Sequence, residues 1–174
     1  MDAADLKASQ APLKARYREA PETAIVTLRA EGAISDGVTC SVETGRALVK
    51  AGLHPATGGP PANACSGDML LQALVACAGV TLSAVATSLG FPVRDARVRA
   101  EGDIDFRGTL GMSKEAPVGF REIRLSFDID GDLSAEQLAT LIRLTERYCV
   151  VYQTLRSSPP ATVTIARPTG RPVK

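Results

Sequence analysis

Two stretches in the centre of the chain alternate apolar and charged positions with a period of two. In 96–107, Ala96, Val98, Ala100, Ile104 and Phe106 alternate with Arg97, Arg99, Glu101, Asp103, Asp105 and Arg107. In 122–130, Ile123, Leu125, Phe127 and Ile129 alternate with Glu122, Arg124, Ser126, Asp128 and Asp130. Successive side chains of a strand point to opposite faces, so each stretch predicts a strand of an antiparallel sheet covered on one side. Upstream, Val26, Leu28 and Ala30 alternate with Thr27, Arg29 and Glu31; "SDG" at 35–37 marks a turn and 38–43 resumes strand-like residues, which together predict a hairpin. A third apolar segment, 46–53, leads into "HPATGGPPANACSG", whose Gly and Pro content predicts a loop. "LRAEG" at 28–32 and "VRAEG" at 98–102 look alike, but five residues are too short for a repeat.

The period changes between these strands. Residues 67–89 predict a helix of about six turns, with Ser66 as N-cap, Asp68 favourable in the first turn, Gly90 as the stop and Pro92 beyond it. "SAEQ" at 134–137 is a capping-box pattern, followed by Leu138, Leu141, Ile142 and Thr145 on one helical face, and the same spacing reaches Cys149. A last alternating stretch, Ala161 to Ala166, predicts a strand after "SSPP". The order strands, long helix, strands, helix, strand is that of an α+β domain with an antiparallel sheet. Residues 1–20 and the tail 168–174 show no periodicity and are expected to be poorly ordered, which leaves 21–167 as a single domain.

The long helix decides the broader class. Residues 69–89 carry no charge over 21 positions, enough to span a bilayer by length. Gln72, Thr81, Ser83, Thr87 and Ser88 interrupt the run, no Lys/Arg cluster flanks it, and the surrounding chain patterns as a soluble sheet, so a core helix is expected rather than a membrane partner. A helix apolar all round must be enclosed by protein. One sheet with a single buried face covers one side of it, and a second copy of the chain would cover the other. The small residues Ala73, Ala76, Ala78 and Gly79 would let another helix approach, which predicts a homodimer with this helix near the interface.

Twenty Lys and Arg against 19 Asp and Glu, with 4% aromatics and no basic block, lack the electrostatic footprint of a nucleic-acid binder. The N-terminus is charged and Ala/Pro-rich with no apolar signal region, so a cytoplasmic location is expected. There, the four cysteines Cys40, Cys65, Cys77 and Cys149 are not a disulfide framework but free thiols, ligands or redox groups. None forms a C-x-x-C pair and His54 is the single histidine, so no metal site is expected. By physics alone Cys77 reads as a small buried residue filling space in the helix.

"SGDMLLQALVACAGVTLSAVATSLGFPV", followed some seventy residues later by "LTERYCVVYQTL", resembles the OsmC/Ohr superfamily, named for osmotically inducible protein C and organic hydroperoxide resistance protein. The likeness runs from about Val26 to Ala166 and is greatest to the OsmC-like branch. It implies an intertwined homodimer with antiparallel sheets around a long buried central helix, two interface sites and cofactor-free thiol peroxidase chemistry. Cys77 matches the peroxidatic cysteine and Cys149 the resolving one. The implied substrates are organic hydroperoxides, and the implied reductant is a dithiol, lipoyl-type in the better-known members. Helix geometry is compatible with that pairing: Cys65 lies twelve residues before Cys77, about 18 Å along a helix axis, beyond the roughly 7 Å Cα limit of a disulfide.

Cys77 lies nine residues past Asp68, where the helix dipole has faded, so an activating cation must come from elsewhere. The family places an arginine near its first strand; Arg29 in "LRAEGAISDG" matches it, with Arg46 as the alternative, and an exposed strand arginine is the plain reading of Arg29. Two positions depart from the family pattern. Gly67 stands where the family's arginine-holding glutamate would be, with Asp68 one residue later on the far side of the helix from Cys77; and Val150, not proline, follows Cys149. His54 reads as a solvent-facing loop histidine. A dimer of the same fold that binds an apolar small molecule, with little or no catalysis, is the alternative function.

Overall fold

The computed structural model describes residues 3–35, 39–42, 51–62 and 64–165; only the backbone is described at 3–7, 9, 28–35 and 39–42. Six strands are present among these residues: β1 (Ile25–Ser35), β2 (Thr39–Val42), β3 (Ala51–Gly52), β4 (Ala64–Cys65), β5 (Val93–Asp105) and β6 (Phe120–Gly131). The helices are α1 (Ala3–Glu19), α2 (Ser66–Leu89), α3 (Phe106–Thr109), α4 (Ala135–Tyr148) and α5 (Val150–Arg156). β2, β1, β5 and β6 form, in that order, one antiparallel sheet, and β3 and β4 a short parallel pair. The expected α+β class with an antiparallel sheet and a long central helix is the observed architecture.

The period-two pattern is realised as one dry and one charged face. Ala96, Val98, Ala100 and Ile104 of β5 are buried, and the charged positions between them lie on the other face. There Asp103 receives Arg124 from β6 at 2.6 Å and the Thr27 hydroxyl from β1, tying three strands together. The register also explains the two similar pentapeptides. Leu28 pairs with Gly102, Arg29 with Glu101, Ala30 with Ala100, Glu31 with Arg99 and Gly32 with Val98. "LRAEG" and "VRAEG" are therefore antiparallel partners about the Ala30 and Ala100 pair, each arginine position in register with a glutamate position.

α2 lies across the dry face, packed on β1, β2 and β5 and flanked by α4 and α5. Leu71, Leu74, Val75, Ala78, Leu82 and Ala86 form its buried side, and each large side chain so enclosed contributes roughly 1.5–3 kcal/mol of apolar burial. α2 is long and apolar enough to cross a membrane by length and composition, and half of its apolar stretch is enclosed by this protein. It stops at Gly90, whose φ of +65° is left-handed, with its N–H turned back to the Ala86 and Thr87 carbonyls. Its N-cap is Cys65 rather than Ser66, and no side chain caps it. The Ser134 to Gln137 capping box opens α4 as expected.

Three expectations differ from the structure. Residues 3–19 are helical, and the end of α1 is held by Tyr17, which is 1% exposed and donates its hydroxyl to the Ala56 carbonyl at 2.7 Å. One buried aromatic anchors the segment without a periodic pattern. β5 ends at Asp105, two residues before the predicted limit, because the buried Asp105 carboxylate accepts the Arg107 N–H and guanidinium and turns the chain into α3. Residues 161–165 form no strand: Val163 is 93% and Ile165 88% exposed, and the segment pairs with no strand among the described residues. Ala166 and the 168–174 tail lie outside the described residues, as does most of the 46–53 segment.

Candidate active site

Cys77 sits in the fourth turn of α2, half-buried, its carbonyl accepting the Thr81 hydroxyl at 2.7 Å. Cys149 is fully buried at the junction of two helices, ending α4 and capping α5. The two residues are neighbours: Cys77 packs against the hydrophobic cluster that contains Cys149, and it is one of the groups that raise the Cys149 thiol. Groups 72 positions apart in sequence thus meet where α2 crosses the α4 to α5 bend.

Their environments differ in a way that separates their chemistry. Burial is the main cause that pushes the Cys149 thiol up to about 11, and the adjacent Cys77 raises it further. The Tyr152 N–H, 3.4 Å from Sγ, and the Val151 N–H act in the opposite direction without overcoming burial. Cys149 therefore holds its proton at neutral pH and is shielded from solvent. Cys77 alone of the pair has accessible surface, and a thiol that meets a dissolved electrophile must be reachable.

The Cys149 bend also shows how the chain manages without proline. Cys149 has φ −71° and ψ 107°, outside the helical region, and Val150 occupies the first position of α5. A first-turn residue has no intrahelical acceptor for its N–H. The sulfur itself caps α5 in the manner of a serine hydroxyl. "RYCVVY" contains no glycine or proline, so this break was invisible in sequence.

The remaining candidates are not all brought to this pair. Asp68 lies in the first turn of α2, about 13 Å along the axis from Cys77, and its neighbour is His54. Burial raises the Asp68 carboxyl while the charge of His54 lowers it; burial lowers the His54 imidazole while Asp68 raises it. His54 is not a solvent-facing loop residue. Its ring stacks on Phe106 with centroids 4.9 Å apart, and Nδ1 accepts the Ala56 N–H at 3.0 Å. The "HPAT" sequence carried the signal: a side chain able to accept, placed before a Pro-started turn. Cys65 lies at the same end of α2, lining a cavity of about 400 Å³ with His54, Phe106 and Phe120.

Arg29 stands opposite Glu101 in the β1 to β5 register, in line with the charged row of β5; its side chain, like that of Cys40, is outside the described residues, and so is Arg46. Gly67 lines the cavity at the start of α2.

The model of the OsmC-like protein family matches residues 59–164, more than half of the chain, and includes both Cys77 and Cys149. A crystal structure of an OsmC-like hydroperoxide resistance protein from Jannaschia sp. CCS1 superposes with a TM-score of 0.58 at 18% identity. That similarity covers 84% of this chain and 97% of the other, and establishes a shared fold. No curated protein matches the chain. A buried α2 carrying Cys77, a helix junction carrying Cys149, and the family match around them lead to one conclusion: the chain belongs to the OsmC-like family.

Proposed function

We propose that the protein is a cysteine-based peroxidase that reduces organic hydroperoxides, working as a cytoplasmic homodimer in defence against oxidative stress. The observation that carries this reading is the placing of a half-exposed Cys77 and a buried, proton-holding Cys149 in one hydrophobic cluster, close enough for Cys77 to raise the Cys149 thiol. The Cys77 thiolate attacks the terminal oxygen of the hydroperoxide, the O–O bond breaks, and the organic oxygen leaves as an alcohol after taking up a proton. Cys77 is then a sulfenic acid. Cys149 condenses with it, a disulfide forms and water leaves. A dithiol reductant returns both thiols by exchange.

Each role matches the local physics. The residue that must meet substrate is the exposed one, and the residue that must wait is buried and keeps its proton. Because Cys77 packs against the cluster that contains Cys149, closing the disulfide joins residues that are already neighbours. Family membership and the shared fold with a hydroperoxide resistance protein support the same chemistry. The homodimer is supported by the apolar groove of about 550 Å³ along the uncovered side of α2, lined by Val80, Ala84, Val85, Leu89, Leu144 and Tyr148.

The test is mass spectrometry of the reduced protein after one equivalent of cumene hydroperoxide. A Cys77 to Cys149 disulfide is expected, together with a trapped Cys77 sulfenic acid in Cys149→Ser and no reaction in Cys77→Ser. Two unmodified thiols in the native chain would defeat the proposal and favour an apolar-ligand carrier of the same fold.

A further inference from the structure

His54 and Tyr17 hold one residue between them. The His54 Nδ1 accepts the Ala56 N–H at 3.0 Å, and the Ala56 carbonyl accepts the Tyr17 hydroxyl at 2.7 Å. Both backbone groups of Ala56 are therefore committed, one to a side chain that titrates near neutrality and one to the anchor of α1. His54 is the N-cap of a single 3-10 turn, Pro55–Thr57, and its carbonyl accepts the Thr57 N–H at 2.8 Å and the Thr57 hydroxyl at 2.9 Å. Its ring is fixed by stacking on Phe106.

The seat of α1 depends on this turn. Beyond the Pro21–Ala24 turn that follows it in the chain, the main element α1 packs against is Pro55–Thr57. The helix carries Pro12 in its interior, which removes a backbone donor, and its sequence lacks a continuous apolar face. A helix of this kind needs tertiary anchors to persist. Tyr17 and Leu13 supply them, packed with the cluster that contains Leu71, Phe106 and Cys149.

An imidazole nitrogen that accepts a hydrogen bond carries no proton, so neutral His54 has its proton on Nε2. Protonation would turn Nδ1 into a donor facing the Ala56 donor, and that hydrogen bond would be lost. Burial also favours the uncharged ring, and the Asp68 carboxylate on α2 opposes it without overcoming it. The other charges near the turn are already engaged. Arg16 of α1 donates to the Tyr17 hydroxyl at 3.3 Å, and Asp105 and Arg107, on either side of Phe106, bind each other. The Cys65 thiol shares the cavity that His54 lines.

We propose that His54 is a proton-operated latch on α1: uncharged, it holds Ala56 in place for Tyr17; charged, it lets the Pro55–Thr57 turn and α1 leave the cluster together. Because the folded value of His54 lies below the ordinary 6.5, the latch contributes fully above that pH, and its contribution is lost as pH falls below it. The device is independent of the thiol chemistry.

The experiment is amide hydrogen exchange of the reduced, full-length protein at pH 7.5 and pH 5.5, corrected for intrinsic rates. An NMR titration of the imidazole accompanies it, and the chain's one histidine makes that signal unique. Protection of α1 should fall by about tenfold, the change that uptake of one proton gives per pH unit, while β5 and β6 keep theirs. The release should track the imidazole titration. His54→Asn keeps an accepting side chain at the cap and cannot titrate, so α1 should stay protected at both pH values. Tyr17→Phe keeps the ring but not the hydroxyl, so α1 should be poorly protected already at pH 7.5. Asp68→Asn removes the charge that favours the protonated ring, and release should move to lower pH. Equal α1 protection at both pH values in the native chain overturns the latch, as does a loss that persists in His54→Asn. Native-like switching in Tyr17→Phe, or release at an unchanged or higher pH in Asp68→Asn, overturns it as well.

Discussion

The Cys149 sulfur accepts the Tyr152 N–H at 3.4 Å inside the cluster against which Cys77 packs, so the two cysteines are neighbours in different environments. With Cys149 pushed up to about 11 and 0% exposed, its thiolate is scarce at neutral pH. Alkylation of Cys149 by iodoacetamide at pH 7.5 is expected to be slower than that of free cysteine by on the order of a hundredfold. The rate should still climb above pH 9. Peptide mapping after timed labelling measures it, and modification of Cys149 as fast as a free thiol would contradict the assigned environment.

The helix break after Cys149 predicts tolerance of proline at the next position. Val150 is the first residue of α5, where the N–H has no helical acceptor, and the extended ψ of Cys149 suits a residue that precedes proline. Val150→Pro should leave the melting temperature unchanged or slightly raised. A fall of more than about 5 °C, of the order expected for a loss above 1 kcal/mol, would show that the Val150 amide or side chain is needed.

Gly102 predicts the opposite sensitivity. A Cβ there would overlap the Phe120 ring, so alanine must displace a side chain that also lines the cavity beside His54 and Cys65. Gly102→Ala should destabilise the fold by about 1–3 kcal/mol in urea denaturation. In Gly102→Ala, Phe120→Leu the penalty should shrink, because the smaller side chain frees the space.

The charged face predicts a pH dependence. Arg124 is the largest cause, followed by Thr27, that holds the Asp103 carboxyl down at about 2, below its ordinary 3.8. A depressed carboxylate stabilises the fold above the unfolded value and loses that contribution as pH falls from about 4 towards 2. Urea midpoints measured from pH 6 to pH 2 should therefore fall less steeply in Asp103→Asn than in the native chain, with the difference confined to that window. Parallel curves would remove Asp103 from the account.

Much of the fold was legible because its signals are local. Alternation over 96–105 and 122–130 defined β5 and β6, an uncharged run closed by Gly90 defined α2, and the Ser134 to Gln137 box defined the start of α4. Each depends only on the residues within the element and its caps. The site was legible in part: both cysteines stood out by their helical contexts, whereas the stacking of His54 on Phe106 gave no linear pattern.

By itself, then, the sequence determined where strands and helices form and which of their faces turn inward, since a period and a cap are properties of neighbouring residues. The tertiary structure alone decided which distant groups meet. It set "LRAEG" against "VRAEG", anchored α1 through Tyr17, left Val163 and Ile165 uncovered, and put Asp68 beside His54 rather than beside Cys77. Above all it brought Cys77 and Cys149 into one cluster, because proximity across 72 residues depends on how α2 packs under the α4 to α5 bend, and packing is a property of the assembled chain.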